Sequence, residues 1–392
     1  MLTQEELQEV VYKREYPKSL PRDRYVKKIS DWMSRKEIIV IKGIRRCGKT
    51  YIMYQLIKKL PKENTFYINF DDFRLDKHLS IELLEQLLKL RDKNKKAYYF
   101  LDEVQRIEGF EKWLRTYYDQ EINVKFVIGG SNISLLSPIL GAVLTGRHIT
   151  FEISPLSYSE FKDFSKDPFE AYLNYGGFPE VVLEPDLDKK KDMLRQYIID
   201  IVARDIIGLK NIENPRQIQA LVNFFLANPG IRISANKLAS QLGVHKDTAQ
   251  KYISYVIDTF LIFEVPYFSY SAKTKYIGAR ASKFYLVDNG LFTVSSIKLN
   301  KGMLYENIIA KHLKKMGKEV MYWADKSEID FIFEKTALQV TSAANIPKRE
   351  ISAFEDFSKT YSGFTKIIVY ADEIKEENGI KFIPIKQFLK QD

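Results

Sequence analysis

Residues 43–50 read Gly-Ile-Arg-Arg-Cys-Gly-Lys-Thr, the pattern G-x-x-x-x-G-K-[ST], and their flanks leave few folds open to the chain. Just before them, Ile38-Ile39-Val40-Ile41 is an unbroken β-branched run, as expected of a short buried strand. Just after them, YIMYQLIKKL carries a helical pattern. Strand, glycine-bearing loop and helix, in that order, are the setting in which this motif cradles phosphate. Two glycines permit a tight loop whose backbone N–H groups turn toward anionic oxygens, and the helix N-terminus adds its dipole. In that setting Gly43, Ile44, Arg45, Arg46, Cys47, Gly48, Lys49, Thr50 and Tyr51 line the phosphates. Lys49 is expected at the β/γ-phosphates and Thr50 at Mg²⁺. A plain basic turn is the alternative, and the matched flanks speak against it. The expected ligand is a nucleoside triphosphate.

A chain of 392 residues is longer than one core usually organises. No apolar run approaches the ~18 residues of a membrane-spanning helix, and the charged N-terminus MLTQEELQEVVYKREYP lacks the apolar centre of a signal peptide. One cysteine, Cys47, forms no intrachain disulfide, which points to a reducing, cytoplasmic setting. The net charge of +10 admits a nucleic-acid partner, but lysines scattered over a solvated surface give the same total. Charge alone decides nothing.

The second half of a nucleotide site is expected at Asp102-Glu103, which ends the apolar strand AYYFL. Asp102 would hold Mg²⁺ directly or through water, and Glu103 would polarise the attacking water. Another strand over 65–70 intervenes in sequence, an arrangement that favours a catalytic Glu beside the metal-binding Asp. A further buried strand over 123–130 ends at Ser131-Asn132. Asn132 either contacts the γ-phosphate or caps the next helix. Arg147, before the strand over 149–153, is a candidate arginine finger, acting in its own chain or donated to a neighbour.

After Pro155 the strand–helix alternation stops. An amphipathic helix over 192–209 carries Arg204-Asp205 and reads as part of a helical lid and connector. Three helices over 216–227, 234–242 and 245–260 follow, with Gly243 as the turn between the last two. Two strands, 261–267 and 283–287, enclose the basic loop with Lys273 and Lys275, and together these describe a winged helix-turn-helix. His245, Lys246, Thr248, Gln250 and Lys251 face the expected DNA side, although such a unit can equally pack on protein. Downstream, Glu306, Asp330 and Gln339-x-Thr341 follow the acid, acid, (E/Q)-x-K order of restriction-type nucleases. Carboxylates there hold Mg²⁺ and a lysine steadies the attacking water. Thr341 stands where lysine belongs, which predicts a nuclease-like fold without cleavage.

Together GIRRCGKT, YYFLDEVQ, GGSN, LTGRH, PLSYSEF, GGFPE, ARDI, DNGLF and LYEN resemble the archaeal and bacterial AAA-type ATP-binding proteins with a C-terminal domain of unknown function, DUF4143. The resemblance implies an α/β chain with a P-loop AAA-type ATPase core and lead-in at 1–154 and a helical lid at 155–213. It implies a winged helix-turn-helix at 214–292 and a small restriction-endonuclease-like α/β domain at 293–392. By the same resemblance Lys49, Thr50, Asp102 and Glu103 are the nucleotide and magnesium residues. The expected reaction is Mg²⁺-dependent ATP hydrolysis, coupled to double-stranded DNA or another partner, in a chain that can form homo-oligomers. GGFPE and DNGLF carry no chemistry that their residues reveal.

Overall fold

The computed structural model describes every residue except 1, 12–15, 131–141, 209–211, 213, 271–279, 344 and 392. It divides into two compact units, Met1–Ile153 and Ser154–Asp392.

In the first unit five strands form one parallel sheet: β1 (Ile38–Lys42), β2 (Thr65–Asn69), β3 (Ala97–Asp102), β4 (Val124–Gly130) and β5 (His148–Glu152). Their spatial order is β2-β3-β4-β1-β5. Parallel strands covered on both faces read as continuous apolar runs, which is why Ile38–Ile41 is buried throughout. One face packs Val40, Phe66, Ile68, Tyr99, Leu101, Phe126 and Ile128 against Leu84, Leu87, Trp113 and Leu114 of the helices Ile81–Leu88 and Phe110–Asp119. The helix Lys49–Ile57 covers the other face. There a Cβ on Gly129, next in the chain to Ile128, would lie 2.1 Å from Met53 Cε.

Sequence order and spatial order differ at an informative place. The strand that intervenes in sequence, β2, lies at the sheet edge. The strand between β1 and β3 is β4, paired with both through Lys42↔Gly130 and Asp102↔Gly129. All five C-termini therefore point to one edge, and the loop after β1 and the acids after β3 share it.

The second unit opens with short helices, Tyr158–Phe164, Phe169–Tyr175 and Pro179–Leu183, then Leu187–Asp200. The single α-helix expected over 192–209 is not what forms. The segment Ile201–Ile207 is π-helical, and in this wider turn Ile201, Val202, Asp205 and Ile206 are buried while Arg204 is exposed. No proline or glycine announces the change. Three helices, Pro215–Ala227, Ala235–Leu242 and Lys246–Asp258, then pack with a small antiparallel sheet of β6 (Ile231–Ile233), β7 (Ile262–Val265) and β8 (Ser282–Leu286), ordered β6-β8-β7. The basic loop with Lys273 and Lys275 lies outside the described residues.

A second sheet of six strands follows: β9 (Met321–Ala324), β10 (Glu328–Phe333), β11 (Thr336–Val340), β12 (Thr365–Tyr370), β13 (Lys375–Glu377) and β14 (Ile380–Pro384). Their order is β13-β14-β12-β11-β10-β9. The helix Lys301–Lys315 packs against β8 and β11. Among the described residues no helix is long and apolar enough to cross a membrane.

Candidate nucleotide site

The loop between β1 and the helix Lys49–Ile57 is shaped by its two glycines. Gly43 has φ +147°, and a Cβ there would stand 2.0 Å from the carbonyl oxygen of Ile153, so only glycine lets the chain pass. Gly48, at φ +97°, occupies the N-cap in a left-handed conformation with no side-chain cap, which leaves the first helical N–H groups directed into the loop. Arg46 also has positive φ, a conformation costing a non-glycine residue about 1–2 kcal/mol. Strain of this kind persists where the surroundings fix the backbone. Lys49 is buried, and its Nζ donates to the carbonyls of Gly43 (3.0 Å) and Ile44 (3.1 Å). The ammonium is thus held inside the loop.

Cys47 is wholly buried, and burial pushes its thiol up, away from the reactive thiolate. It fills space beside Gly43. Its carbonyl accepts a 2.8 Å hydrogen bond from the buried Arg22, a contact the sequence did not announce.

Across the sheet edge, Asp102 is buried and its Oδ2 accepts from Thr50 Oγ1 (2.7 Å) and Tyr67 O–H (3.1 Å). Its other oxygen, Oδ1, is buried without a hydrogen-bond partner among the described residues. Burial raises the Asp102 carboxyl, while Thr50, Lys49 and Tyr67 oppose the shift. An orphaned carboxylate oxygen next to a threonine hydroxyl suits a hard cation with oxygen ligands. Among the described residues no three His, Cys, Asp or Glu side chains gather to hold a metal. Mg²⁺ is commonly bound through one or two carboxylates plus substrate phosphates and requires no all-protein cage.

Glu103 has φ +56°, and its backbone N–H donates to the Gly129 carbonyl (2.7 Å). Burial first, and then the neighbouring Asp102 charge, push its carboxyl up to about 7. Gln105 donates to one of its oxygens. Tyr51 is exposed on the first turn of the helix, edge-on to Tyr54.

The structure therefore brings Lys49, Thr50, Asp102 and Glu103 to one edge of one sheet. It does not bring Arg147 there. Arg147 sits at the N-terminal end of β5, where its carbonyl accepts from Ile38 N–H (2.8 Å) at the start of β1. Its guanidinium is paired with Asp119 at 2.8 and 3.2 Å. Parallel strands put that end of the sheet opposite the phosphate loop, so a catalytic role for Arg147 in its own chain does not stand. Asn132 lies outside the described residues.

Tyr67 and Gly129 were missed by sequence reasoning. A Cβ on Gly129 would meet Met53 Cε and come within 3.0 Å of Asp102 Oδ1. Tyr67 carries the one faint signal, a hydroxyl at the centre of the strand TFYIN on the face opposite Phe66 and Ile68.

A family model of the AAA domain matches residues 35–162, and models of two domains of unknown function, DUF8612 and DUF4143, match residues 166–301 and 301–388. An uncharacterized protein of Methanocaldococcus jannaschii is 34% identical over 374 residues, 86% of this chain and 83% of that one. The chain belongs to this family of AAA-type proteins with a C-terminal DUF4143 domain. An uncharacterized protein of Haemophilus influenzae is 28% identical over 400 residues, 95% of this chain and 99% of that one. Among solved structures, the Walker-type ATPase of Pyrococcus abyssi aligns with TM-score 0.51 at 13% identity, over 71% of this chain and 96% of that one. That likeness is one of fold: an α/β chain whose parallel sheet resembles a P-loop ATPase core.

Proposed function

We propose that this family member binds ATP with Mg²⁺ at Gly43–Thr50 and Asp102 and hydrolyses it to ADP and phosphate. The observation that carries the reading is the 2.7 Å contact of Thr50 with Asp102, whose second oxygen is buried without a hydrogen-bond partner among the described residues. Backbone N–H groups of the loop and the helix N-terminus bind the phosphates. Lys49 exchanges the Gly43 and Ile44 carbonyls for β/γ-phosphate oxygens. Thr50 and Asp102 would hold Mg²⁺, which when bound neutralises charge on the β/γ-phosphates. Glu103, ionised, accepts a hydrogen bond from the attacking water, aligns it with the γ-phosphorus and takes its proton as the bond to phosphorus forms.

The reading extends to the second unit. The helices Ala235–Leu242 and Lys246–Asp258, joined through Gly243 at φ +65°, serve as a helix-turn-helix, with β7 and β8 as its wing. Ala249, Tyr252 and Val256 bury one stripe of the longer helix, while His245, Lys246, Gln250 and Lys251 are exposed and available to phosphates or base edges of duplex DNA. The region from about residue 293 serves as a restriction-endonuclease-like binding module without cleavage, because Thr341 replaces the lysine. Nucleotide state is thereby read out by a DNA- or partner-binding part.

Labelled-nucleotide binding and phosphate release test the core claim. Lys49→Ala should abolish binding, and Glu103→Gln should keep binding and lose turnover. Unchanged hydrolysis in Glu103→Gln removes Glu103 from the mechanism, and unchanged binding in Lys49→Ala removes the site.

A further inference from the structure

The acid-rich pattern of the second unit assembles in space, but around an unexpected group. Lys283, on β8, is buried, and its Nζ lies 2.5 Å from Glu328, 3.0 Å from Glu306 and 3.8 Å from Asp330. Glu306 comes from the helix Lys301–Lys315, and Glu328 and Asp330 from β10. Tyr285, two residues along β8 on the same face, donates to Glu306 Oε1 at 2.6 Å. Gln339 locks the acids in register: its Oε1 accepts from Asp330 N–H (2.9 Å) and its Nε2 donates to the Glu328 carbonyl (2.8 Å). Val340 N–H donates to Asp330 Oδ2 at 2.9 Å. Thr341 is buried and its hydroxyl accepts from Ala343 N–H, so it offers no cation in exchange.

Carboxylates this close repel one another and need a positive charge within a few ångströms. A divalent metal is one solution and a side-chain ammonium is another. Nζ here sits at hydrogen-bond distance from two of the acids and within 4 Å of the third, in the space where a metal would make its bonds. Among the described residues no ready-made group of metal ligands exists. We propose that Lys283 is the resident cation of this cluster, standing where a divalent metal would stand. The cluster is then a charge clasp joining β8 to β10 and the helix Lys301–Lys315, and not a hydrolytic centre. Burial works against the ammonium, but Glu306, Tyr285, Asp330 and Glu328 outweigh it and hold Lys283 well above its ordinary range. Withdrawal of the lysine would strand three acids, which makes the occupancy permanent.

Mn²⁺ titration of the nucleotide-free full chain, followed by the loss of the free-ion electron-spin signal, tests this. All variants carry Asp102→Asn so that the phosphate-loop site contributes nothing. With Lys283 present, Mn²⁺ binding should be as weak as in the Asp330→Asn variant. Lys283→Ala should tighten it by roughly tenfold or more, and Lys283→Ala with Asp330→Asn should abolish the gain. Stoichiometric Mn²⁺ binding with Lys283 in place, lost on Asp330→Asn, would overturn the proposal; this arm stands even if Lys283→Ala does not fold. A folded Lys283→Ala chain that gains no Mn²⁺ overturns it as well.

Discussion

Asp288, the first residue of the DNGLF motif, is fully buried, and the consequence of removing its charge follows from its partners. Its Oδ2 accepts from Gly177 N–H (2.8 Å) and from Lys311 Nζ (2.8 Å), and its Oδ1 accepts from Gly290 N–H (3.0 Å). Gly177 belongs to the GGFPE motif, 111 residues away in sequence. Gly176, at φ +74°, has no alternative either, since a Cβ there would lie 1.5 Å from Asp288 Oδ1. Asp288→Asn keeps the shape and one acceptor oxygen but leaves the buried Lys311 ammonium without its counter-charge. Breaking one side of a buried pair costs about 3–5 kcal/mol. Lys311→Met should cost a comparable amount because it strands the carboxylate. The double variant removes both charges, so its cost should fall short of the sum by about 2 kcal/mol or more, within the range found for directly contacting pairs. Guanidinium titration of the four proteins supplies the cycle. Additive costs, to within about 0.5 kcal/mol, would refute the view that Asp288 and Lys311 act as one coupled buried charge pair.

Two further outcomes concern the nucleotide site. Because burial and the Asp102 charge push the Glu103 carboxyl up to about 7, the ionised form needed to align water is depleted as pH falls. The kcat/KM of ATP hydrolysis should therefore drop roughly tenfold per unit below that point and level off above it, and a flat profile from mildly acidic to mildly basic pH would exclude Glu103 as the group that titrates. Tyr67→Phe removes one of two hydroxyls that orient Asp102. It should raise the Mg²⁺ concentration needed for tight ATP binding by about 10–100-fold while leaving Mg²⁺-free binding unchanged, and an unmoved Mg²⁺ requirement would make Tyr67 a packing residue.

The parts of the site that could be read in the sequence are those whose physics is local. Glycine at Gly43 and Gly48, the strand before them and the helix after them are neighbours along the chain, and so is the strand that ends in Asp102-Glu103. The spatial order of the sheet was not legible. Nothing in the residues of β2 and β4 distinguishes an edge strand from the one lying between β1 and β3, because both are apolar and short. Arg147 shows the same limit, since its place at the far end of β5 follows from strand direction and its pairing with Asp119 from a contact between distant segments.

GGFPE, DNGLF and LYEN present the deeper case. Their polar residues find partners in distant segments of the chain. Asn289 donates to the carbonyls of Leu173 and Leu304, and Asn307 donates to the Asn289 side chain and to the Leu286 carbonyl. A Cβ on Gly290 would meet the Tyr175 carbonyl oxygen at 2.5 Å. These are buried polar groups satisfied across distant segments, and a buried polar group left unsatisfied costs about 1–3 kcal/mol. That cost is enough to fix a residue's identity without any ligand. The nuclease-like residues follow the same logic with charge in place of amides. The departure at Thr341 was visible in the sequence, whereas Lys283, the ammonium that these acids surround, lies 58 positions earlier on another sheet. A strict sequence motif in this chain marks either a ligand or a distant partner. Only the geometry tells the two apart: Asp102 keeps an oxygen orphaned beside the phosphate loop, while Asp288 has both of its oxygens taken.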